Sequence, residues 1–282
     1  MYLLNKLREI ATLLSSNGVK DAAKESEILI TEALKIDKSA LYSGDIEVSS
    51  RTSMQLDSLA IRRSRGEPLQ YIIGHLEFYG LKINVGRGVL IPRPETEMLV
   101  DEAIKHLEHL NTQNSRFSLL DLCTGSGCIA VAIAKHFPRA IVCGIDKSEV
   151  AVHYASQNAS ENTSRNINFV IGDLYEPLGD IRFDCIVSNP PYVKSRDIEK
   201  LQREIRDYEP IEALDGGDDG LEFYRKIFKG MPHHLKKGGL VFLEIGFGQS
   251  PHIETLARTA GIKTVGFLND FAGIRRVMVA KN

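Results

Sequence analysis

Cysteine is scarce in this chain, four residues in 282, and the four are not arranged for chemistry. Cys123, Cys128, Cys143 and Cys185 form no Cys-x-x-Cys pair, the spacing of a structural zinc site or a dithiol redox motif. Three of them fall within or beside apolar runs that read as core strands, where a free thiol packs as a small hydrophobe. A disulfide framework is therefore not expected. The eight histidines include no His-Glu-x-x-His spacing, and no metal site is expected either. No run has the length and apolarity of a membrane span. The stretch Met1 to Ile10 alternates apolar and charged residues at helical spacing, unlike a secretory signal. Charge of one sign is also missing: 35 Lys and Arg against 37 Asp and Glu leave a formal net charge of -2. No global basic field therefore draws the protein to nucleic acid. The short runs Arg62-Arg63-Ser64-Arg65 and Lys236-Lys237 read as solvated helix ends. These absences fit a reducing, cytoplasmic setting. What is present is ordinary globular composition, 43% hydrophobic and 26% charged, at a length that allows two domains.

Residues 1–74 read as helical. Leu3, Leu4, Leu7, Ile10, Leu13 and Leu14 fall largely on one face. Asp21 is the expected N-cap of a second helix through Ile30, Ala33 and Leu34, and a third spans about Thr52 to Arg65, before Gly66-Glu67-Pro68. This small bundle carries no catalytic motif; it serves either partner recognition or structure. Residues 75–97 read as a linker. Glu77 to Val85 alternates and is followed by Gly86 and Gly88, which predicts a hairpin, and Pro94 suits the start of a helix to Leu107. Across 98–282 the pattern changes to strand–helix alternation. The expected strands are Leu119–Cys123, Ala140–Ile145, Ile167–Ile171, Phe183–Ser188, Leu240–Ile245, Thr264–Leu268 and Arg276–Ala280. The fold class is α/β, a mainly parallel sheet covered on both faces, with the last two strands an antiparallel pair at its edge.

Chemistry is expected at four strand ends. The first strand carries Asp121 and turns through Thr124-Gly125-Ser126-Gly127 into a helix, Cys128–His136. The glycines allow close approach of a ligand, and the helix N-terminus adds positive potential. Asp146 ends the next strand, 25 residues after Asp121, where its carboxylate can accept from both hydroxyls of a ribose. Gly172-Asp173-Leu174 ends the third; Asp173 can accept from an adenine amino group and Leu174 can pack on the ring. Gly125-Ser126-Gly127-Cys128-Ile129-Ala130 also spells the GxGxxA of a dinucleotide site, which is weak evidence alone. The fourth strand decides between them. It ends in Asn189-Pro190-Pro191-Tyr192, and two prolines break the chain at the sheet's C-terminal edge. An amide oxygen and the Pro190 carbonyl form an acceptor pair for a planar NH₂ group, with the Tyr192 ring to lie on its face. Hydride transfer has no use for such a site, whereas a methyl donor bound across the first three tips would reach it.

The chain resembles the release-factor glutamine N5-methyltransferases, of the Rossmann-like methyltransferase fold. The resemblance runs through Pro68 to Gly74, Ile91-Pro92-Arg93-Pro94-Glu95-Thr96-Glu97, Asp121 to Gly127, Ile145-Asp146, Gly172 to Leu174 and Val187 to Tyr192. It continues through Glu209-Pro210, Ala213 to Gly220, and Leu243-Glu244-Ile245-Gly246 before Gln249. Asn-Pro-Pro-Tyr alone is shared with adenine-N6 and guanine-N2 methyltransferases of nucleic acids, which remain the alternative. The Arg-Pro-Glu-Thr-Glu joint with a helical N-terminal domain is more specific to the protein-glutamine enzymes. The resemblance implies S-adenosyl-L-methionine as cofactor, held by Asp121, Cys123, Thr124, Gly125, Ser126, Gly127, Asp146, Asp173, Leu174 and Asn189. It implies Asn189, Pro190, Pro191 and Tyr192 as the substrate site, with Asn189, Pro190 and Tyr192 catalytic. The implied partners are class 1 peptide-chain release factors, methylated on the glutamine of a Gly-Gly-Gln motif; neither membrane nor nucleic acid is expected.

Two departures from the family pattern carry expectations. Cys123 stands where glycine is usual, so an ordinary backbone conformation is expected there. Gly273-Ile274-Arg275-Arg276-Val277 follows the family's ending only loosely, with a consequence expected at the sheet edge and none at the fourth strand tip. Glu95 and Glu97 are expected to be structural rather than proton acceptors. The stretch from Tyr192 to Gly220 reads equally as a mobile lid or a solvated loop.

Overall fold

Apolar residues at helical spacing organise the first part of the chain. The computed structural model describes residues 2–43, 46–110 and 116–282. Helix α1 (Leu3–Ser16) buries Leu3, Leu7, Ile10 and Leu14, four positions on one stripe, with Leu4 and Leu13 at its margins. Helix α2 (Ala22–Leu34) packs Leu29 and Ile30 on that stripe. Asp21 occupies its N-cap position but its side chain makes no capping bond, since the backbone there is not extended (φ -100°, ψ 37°). Capping does occur at α3 (Lys38–Tyr42), where Asp37 accepts from the Ala40 N–H at 2.7 Å. Ser49 does the same for α4 (Ser50–Ser64), accepting from the Thr52 N–H at 3.1 Å. A short α5 (Leu69–Ile73) completes the set.

Contacts divide the chain into two compact units, Met1–His75 with Gln202–Tyr208, and Leu76–Leu201 with Glu209–Asn282. The first unit thus includes a short helix from far along the chain. Arg63 is the reason. It is buried, not a solvated helix end: its guanidinium forks onto the Glu25 carboxylate, donates to the Glu67 carbonyl at 3.2 Å and meets Glu204 Oε2 at 2.9 Å. A buried cation requires such partners.

A hairpin follows, β1 (His75–Phe78) and β2 (Leu81–Asn84), all of it but His75 counted with the second unit. Tyr79 and Gly80 both have positive φ, as a two-residue hairpin turn demands. The Tyr79 N–H donates to Glu97 Oε1 at 2.8 Å, which gives that carboxylate a structural task. After α6 (Pro94–Leu107) come β3 (Ser118–Leu122), α7 (Cys128–His136), β4 (Ile141–Asp146), α8 (Glu149–Glu161), β5 (Ile167–Ile171) and β6 (Phe183–Ser188). Then follow α9 (Arg203–Tyr208, the helix counted with the bundle), α10 (Glu222–His234), β7 (Leu235–Glu244), α11 (Ser250–Thr259), β8 (Lys263–Asn269) and β9 (Arg275–Lys281).

Seven strands form one sheet in the order β5-β4-β3-β6-β7-β9-β8. The first five in that order run parallel; β9 is antiparallel to both β7 and β8. Leu119, Leu120 and Leu122 of the central strand are fully buried, as in a parallel sheet covered on both faces. Strand β7 starts five residues before its apolar run. Lys236 and Lys237 therefore lie on a strand and not at a helix end, and the Lys236 ammonium pairs with Asp184 Oδ2 at 2.7 Å. Among the described residues no helix is long and apolar enough to cross a membrane.

Candidate active site

Strand order reverses at β3: β4 and β5 extend to one side, β6 and β7 to the other. Open α/β sheets bind ligands at such a switch, outside the strands' C-terminal ends. Register aligns the tips here, with Leu122 beside both Ile145 and Ser188, and Asp146 beside Ile171. A cavity of ≈ 460 Å³ opens over them. It is lined by Cys123, Thr124, Gly125 and Ser126 after β3, and by Asp146 at the end of β4. Asp173 and Leu174 after β5, and Asn189 and Pro191 after β6, also line it, whereas Asp121 and Gly127, expected at the cofactor, do not.

The loop after β3 is held from behind. Asp121 is fully buried, and its Oδ2 accepts from the Thr124 hydroxyl at 2.6 Å. Its Oδ1 has no partner among the described residues, nor has the buried Ser126 Oγ. Burial pushes the Asp121 carboxyl up to about 7. Cys123 corrects an expectation: its φ is 57°, the left-handed region, and not an ordinary conformation. The turn demands it, since Thr124 must bring its N–H to the Ile145 carbonyl at 3.0 Å while its hydroxyl faces Asp121. A non-glycine residue there costs about 1–2 kcal/mol. Burial raises the Cys123 thiol well above its ordinary range, so it stays protonated and unreactive. Gly125 also has positive φ (56°), and a Cβ there would meet nothing within 4 Å, so it opens onto free space. Gly127 differs. A Cβ on it would lie 2.8 Å from that of Ala155, so its role is close packing under the loop. Asp146 fixes the loop from the next strand, Oδ2 accepting from the Gly125 N–H at 2.9 Å and Oδ1 from the Ser148 N–H at 3.0 Å. Burial raises its carboxyl too, against those two N–H groups.

The Asn189–Tyr192 turn is gripped at every residue but the prolines. Ser188 just before it donates to the Leu122 carbonyl at 2.7 Å. The Asn189 side-chain amide, Nδ2, donates to Thr96 Oγ1 at 3.2 Å, and the Thr96 hydroxyl donates to Glu244 Oε2 at 2.6 Å. The Tyr192 hydroxyl lies 3.3 Å from Glu244 Oε1, and the Tyr192 carbonyl accepts from Gln249 Nε2 at 3.0 Å. Glu244 is fully enclosed, and burial raises its carboxyl. Pro190 and Tyr192 do not line the main cavity. Tyr192 lines a neighbouring one of ≈ 330 Å³ with Gly246 and Gln249.

The stretch after Tyr192 is hydrogen-bonded back onto itself beside the turn. Val193 and Asp215 form a parallel bridge; Val193 N–H donates to the Leu214 carbonyl at 2.9 Å and Gly216 N–H to the Val193 carbonyl at 2.8 Å. Its glycines permit close approach. A Cβ on Gly216 would meet Tyr192 Cα at 2.8 Å and the Pro191 carbonyl oxygen at 2.9 Å. Glu209 joins this stretch to the 91–93 joint, taking the Arg93 guanidinium at 2.6 Å and the Ile91 N–H at 3.2 Å. The C-terminal segment also reaches further than the sheet edge: the Arg276 carbonyl accepts from the Ile245 N–H at 2.8 Å, and its positive charge opposes the upward shifts of Glu244 and Tyr192. Thr96 and Glu244 fall in segments that carry the family resemblance but had no role of their own from sequence, and the cavity residue Phe223 was not singled out. The signal for Glu244 existed, as a carboxylate inside the apolar run 240–245.

Comparison with known proteins agrees with this geometry. Residues 98–206 match the model of the methyltransferase small domain, and residues 5–74 that of the PrmC N-terminal domain. A methyltransferase structure from Pyrococcus furiosus shares the fold, with a TM-score of 0.54 at 21% identity over 83% of this chain and 98% of that one. The release factor glutamine methyltransferase of Geobacter sulfurreducens is 42% identical over 94% of this chain and 91% of its own length. That of Thermodesulfovibrio yellowstonii is 48% identical over 99% of this chain and 98% of its own length. With likeness of that degree along its whole length, the chain belongs to the release factor glutamine methyltransferase family.

Proposed function

We propose that this enzyme transfers a methyl group from S-adenosyl-L-methionine to the side-chain amide nitrogen of the glutamine in the Gly-Gly-Gln motif of class 1 release factors. The observation that carries the reading is the gripped Asn189–Tyr192 turn beside a cavity lined by the other three strand tips. The residues around that cavity fit the cofactor. Its volume of ≈ 460 Å³ lies in the range of small-molecule sites, about 300–1,000 Å³. Ser126, which lines the cavity, has a buried Oγ with no hydrogen-bond partner among the described residues. Each Asp146 oxygen accepts one backbone N–H and keeps a lone pair for a ribose hydroxyl. Asp173 and Leu174 would take the adenine, and Cys123 to Gly127 the methionine portion. When bound, the cofactor supplies an electrophilic methyl group.

The chain's own contribution is orientation. An amide nitrogen is a poor nucleophile because its lone pair is delocalised into the carbonyl. Asn189 Oδ1 and the Pro190 carbonyl accept the two amide protons, which fixes the NH₂ plane and enriches the nitrogen. Pro191 and Tyr192 complete the wall behind it. Positioning of this kind contributes about 7 kcal/mol in a well-oriented site. We assign 1–74 to release-factor recognition, 75–97 to the linker and 98–282 to the methyltransferase domain. Exposed Met54 and Ile61, seven residues apart on α4, offer the bundle an apolar contact stripe. The setting is cytoplasmic, in keeping with four free cysteines.

Methyl transfer from labelled cofactor to a purified class 1 release factor, beside a copy with the motif glutamine changed to alanine, tests the reading. Label on the first alone is expected. Label on neither, with label on RNA or DNA, would mean that the site takes a base amine instead.

A further inference from the structure

Resting on that reading, we infer that Thr96 and Glu244 are positioning residues: they lock the Asn189 amide in one of its two orientations and so make the site accept NH₂ donors only. The two orientations of an Asn side chain differ only in which of its ends faces the cavity. A hydroxyl has one proton. With Glu244 ionised, as the proposal takes it, the carboxylate can only accept, and Thr96 spends its proton on Oε2 at 2.6 Å. Thr96 Oγ1 therefore has only acceptor capacity left for Asn189 at 3.2 Å, and the Asn189 atom facing it must be Nδ2. Oδ1 is then the end turned away from Thr96, on a residue that lines the cavity, and we take it as the acceptor there. The second acceptor in this reading is the carbonyl of the next residue, Pro190. The pair accepts and does not donate, so a primary amide or amine is bound while a carboxylate of the same shape meets two acceptors.

Burial adds force to the lock. Thr96 is 1% exposed and Glu244 2%, so neither can exchange its partner for water. Glu244 also takes the Tyr192 hydroxyl at 3.3 Å, so one carboxylate holds both ends of the four-residue turn. Residues from α6, the β6 turn and β7 meet at this point, three segments far apart in sequence.

Thr96→Val keeps the shape and removes the oxygen; Thr96→Ser keeps the oxygen. Thr96→Val is expected to lower kcat for release-factor methylation by about 30-fold or more, the scale of a mispositioned reactive group. Its Kd for S-adenosyl-L-methionine should stay within about threefold of wild type, and Thr96→Ser should restore kcat to within about fivefold. A second measurement does not depend on the substrate. The Asn189 side-chain NH₂ resonance, assigned by its loss in Asn189→Ala, should appear at the same shift in wild type and Thr96→Ser and move in Thr96→Val. Unchanged kcat and an unmoved resonance in Thr96→Val would overturn the lock. So would equal losses in both Thr96 variants. A wild-type enzyme that methylates no release factor, with the resonance behaving as expected, would sink the substrate reading and leave the lock standing.

Discussion

Gly216→Ala is a sharp test of how the turn is held. Gly216 does not have a positive φ, so alanine brings no backbone strain, and its whole effect comes from one added methyl. That methyl would sit 2.8 Å from Tyr192 Cα, 2.9 Å from the Pro191 carbonyl oxygen and 3.0 Å from Gly220 Cα. Carbon atoms pack at about 3.5–4.0 Å, so backbone must part by about 0.5–1 Å. No flexible side chain is available to yield. Overpacking of this kind costs about 1–3 kcal/mol. At about 2–4 °C per kcal/mol for a domain of this size, melting should fall by about 4–8 °C for a cost near 2 kcal/mol. The same displacement moves the Asn189 and Pro190 acceptors, and turnover should drop about a hundredfold. Cofactor affinity should fall far less than turnover, because Gly216 itself does not line the main cavity and the loop after β3, Asp146 and Asp173 are untouched. Calorimetric melting, cofactor titration and a methyl-transfer rate on one preparation give all three numbers. A variant with wild-type melting and turnover would show that the stretch after Tyr192 gives way freely, and that its glycines serve mobility.

Other outcomes follow from the same geometry. Asn189→Ala should leave cofactor binding largely intact and collapse turnover; weaker cofactor binding with unchanged turnover would contradict the assigned roles. Asp146→Ala should weaken S-adenosyl-L-methionine by about 1–3 kcal/mol, read by titration calorimetry, for its lost hydrogen bonds. The cofactor-free enzyme should show a pH signature of Asp121, whose folded-state carboxyl lies at about 7, above its ordinary 3.8. A raised pKa means the folded state binds the proton more tightly. The contribution is therefore full below pH 3.8 and is lost as pH rises through about 7. It is on the order of 4 kcal/mol across that window. Denaturant melts of Asp121→Asn should lack this part of the slope. Arg63→Ala should cost about 1–3 kcal/mol in unfolding free energy, by removing a buried guanidinium and leaving the half-buried Glu25 carboxylate without its partner.

Much of this was legible in sequence because local rules were enough. The parallel strands announce themselves as apolar runs, and the four tips fall where Asp121, Asp146, Asp173 and Asn189 stand. Three kinds of feature were not legible. Cys123 takes a left-handed conformation because two hydrogen bonds from the next residue require it, and no propensity rule sees those partners. Arg63 reads as a surface charge until Glu25 and Glu204, 38 positions before and 141 after it, close around it. The chain of Asn189, Thr96 and Glu244 joins residues 93 and 148 positions apart. Glycines after Tyr192 look flexible in sequence; only the neighbouring backbone shows that they are small for want of room.

The central claim is that the turn beginning at Asn189 presents a glutamine amide nitrogen for methylation. Tandem mass spectrometry of a release factor treated with enzyme and cofactor tests it most directly. A single added methyl on the side-chain nitrogen of the Gly-Gly-Gln glutamine, absent with Asn189→Ala enzyme, is the result expected. A methyl on any other residue, or an unmodified release factor beside methylated nucleic acid, would contradict it.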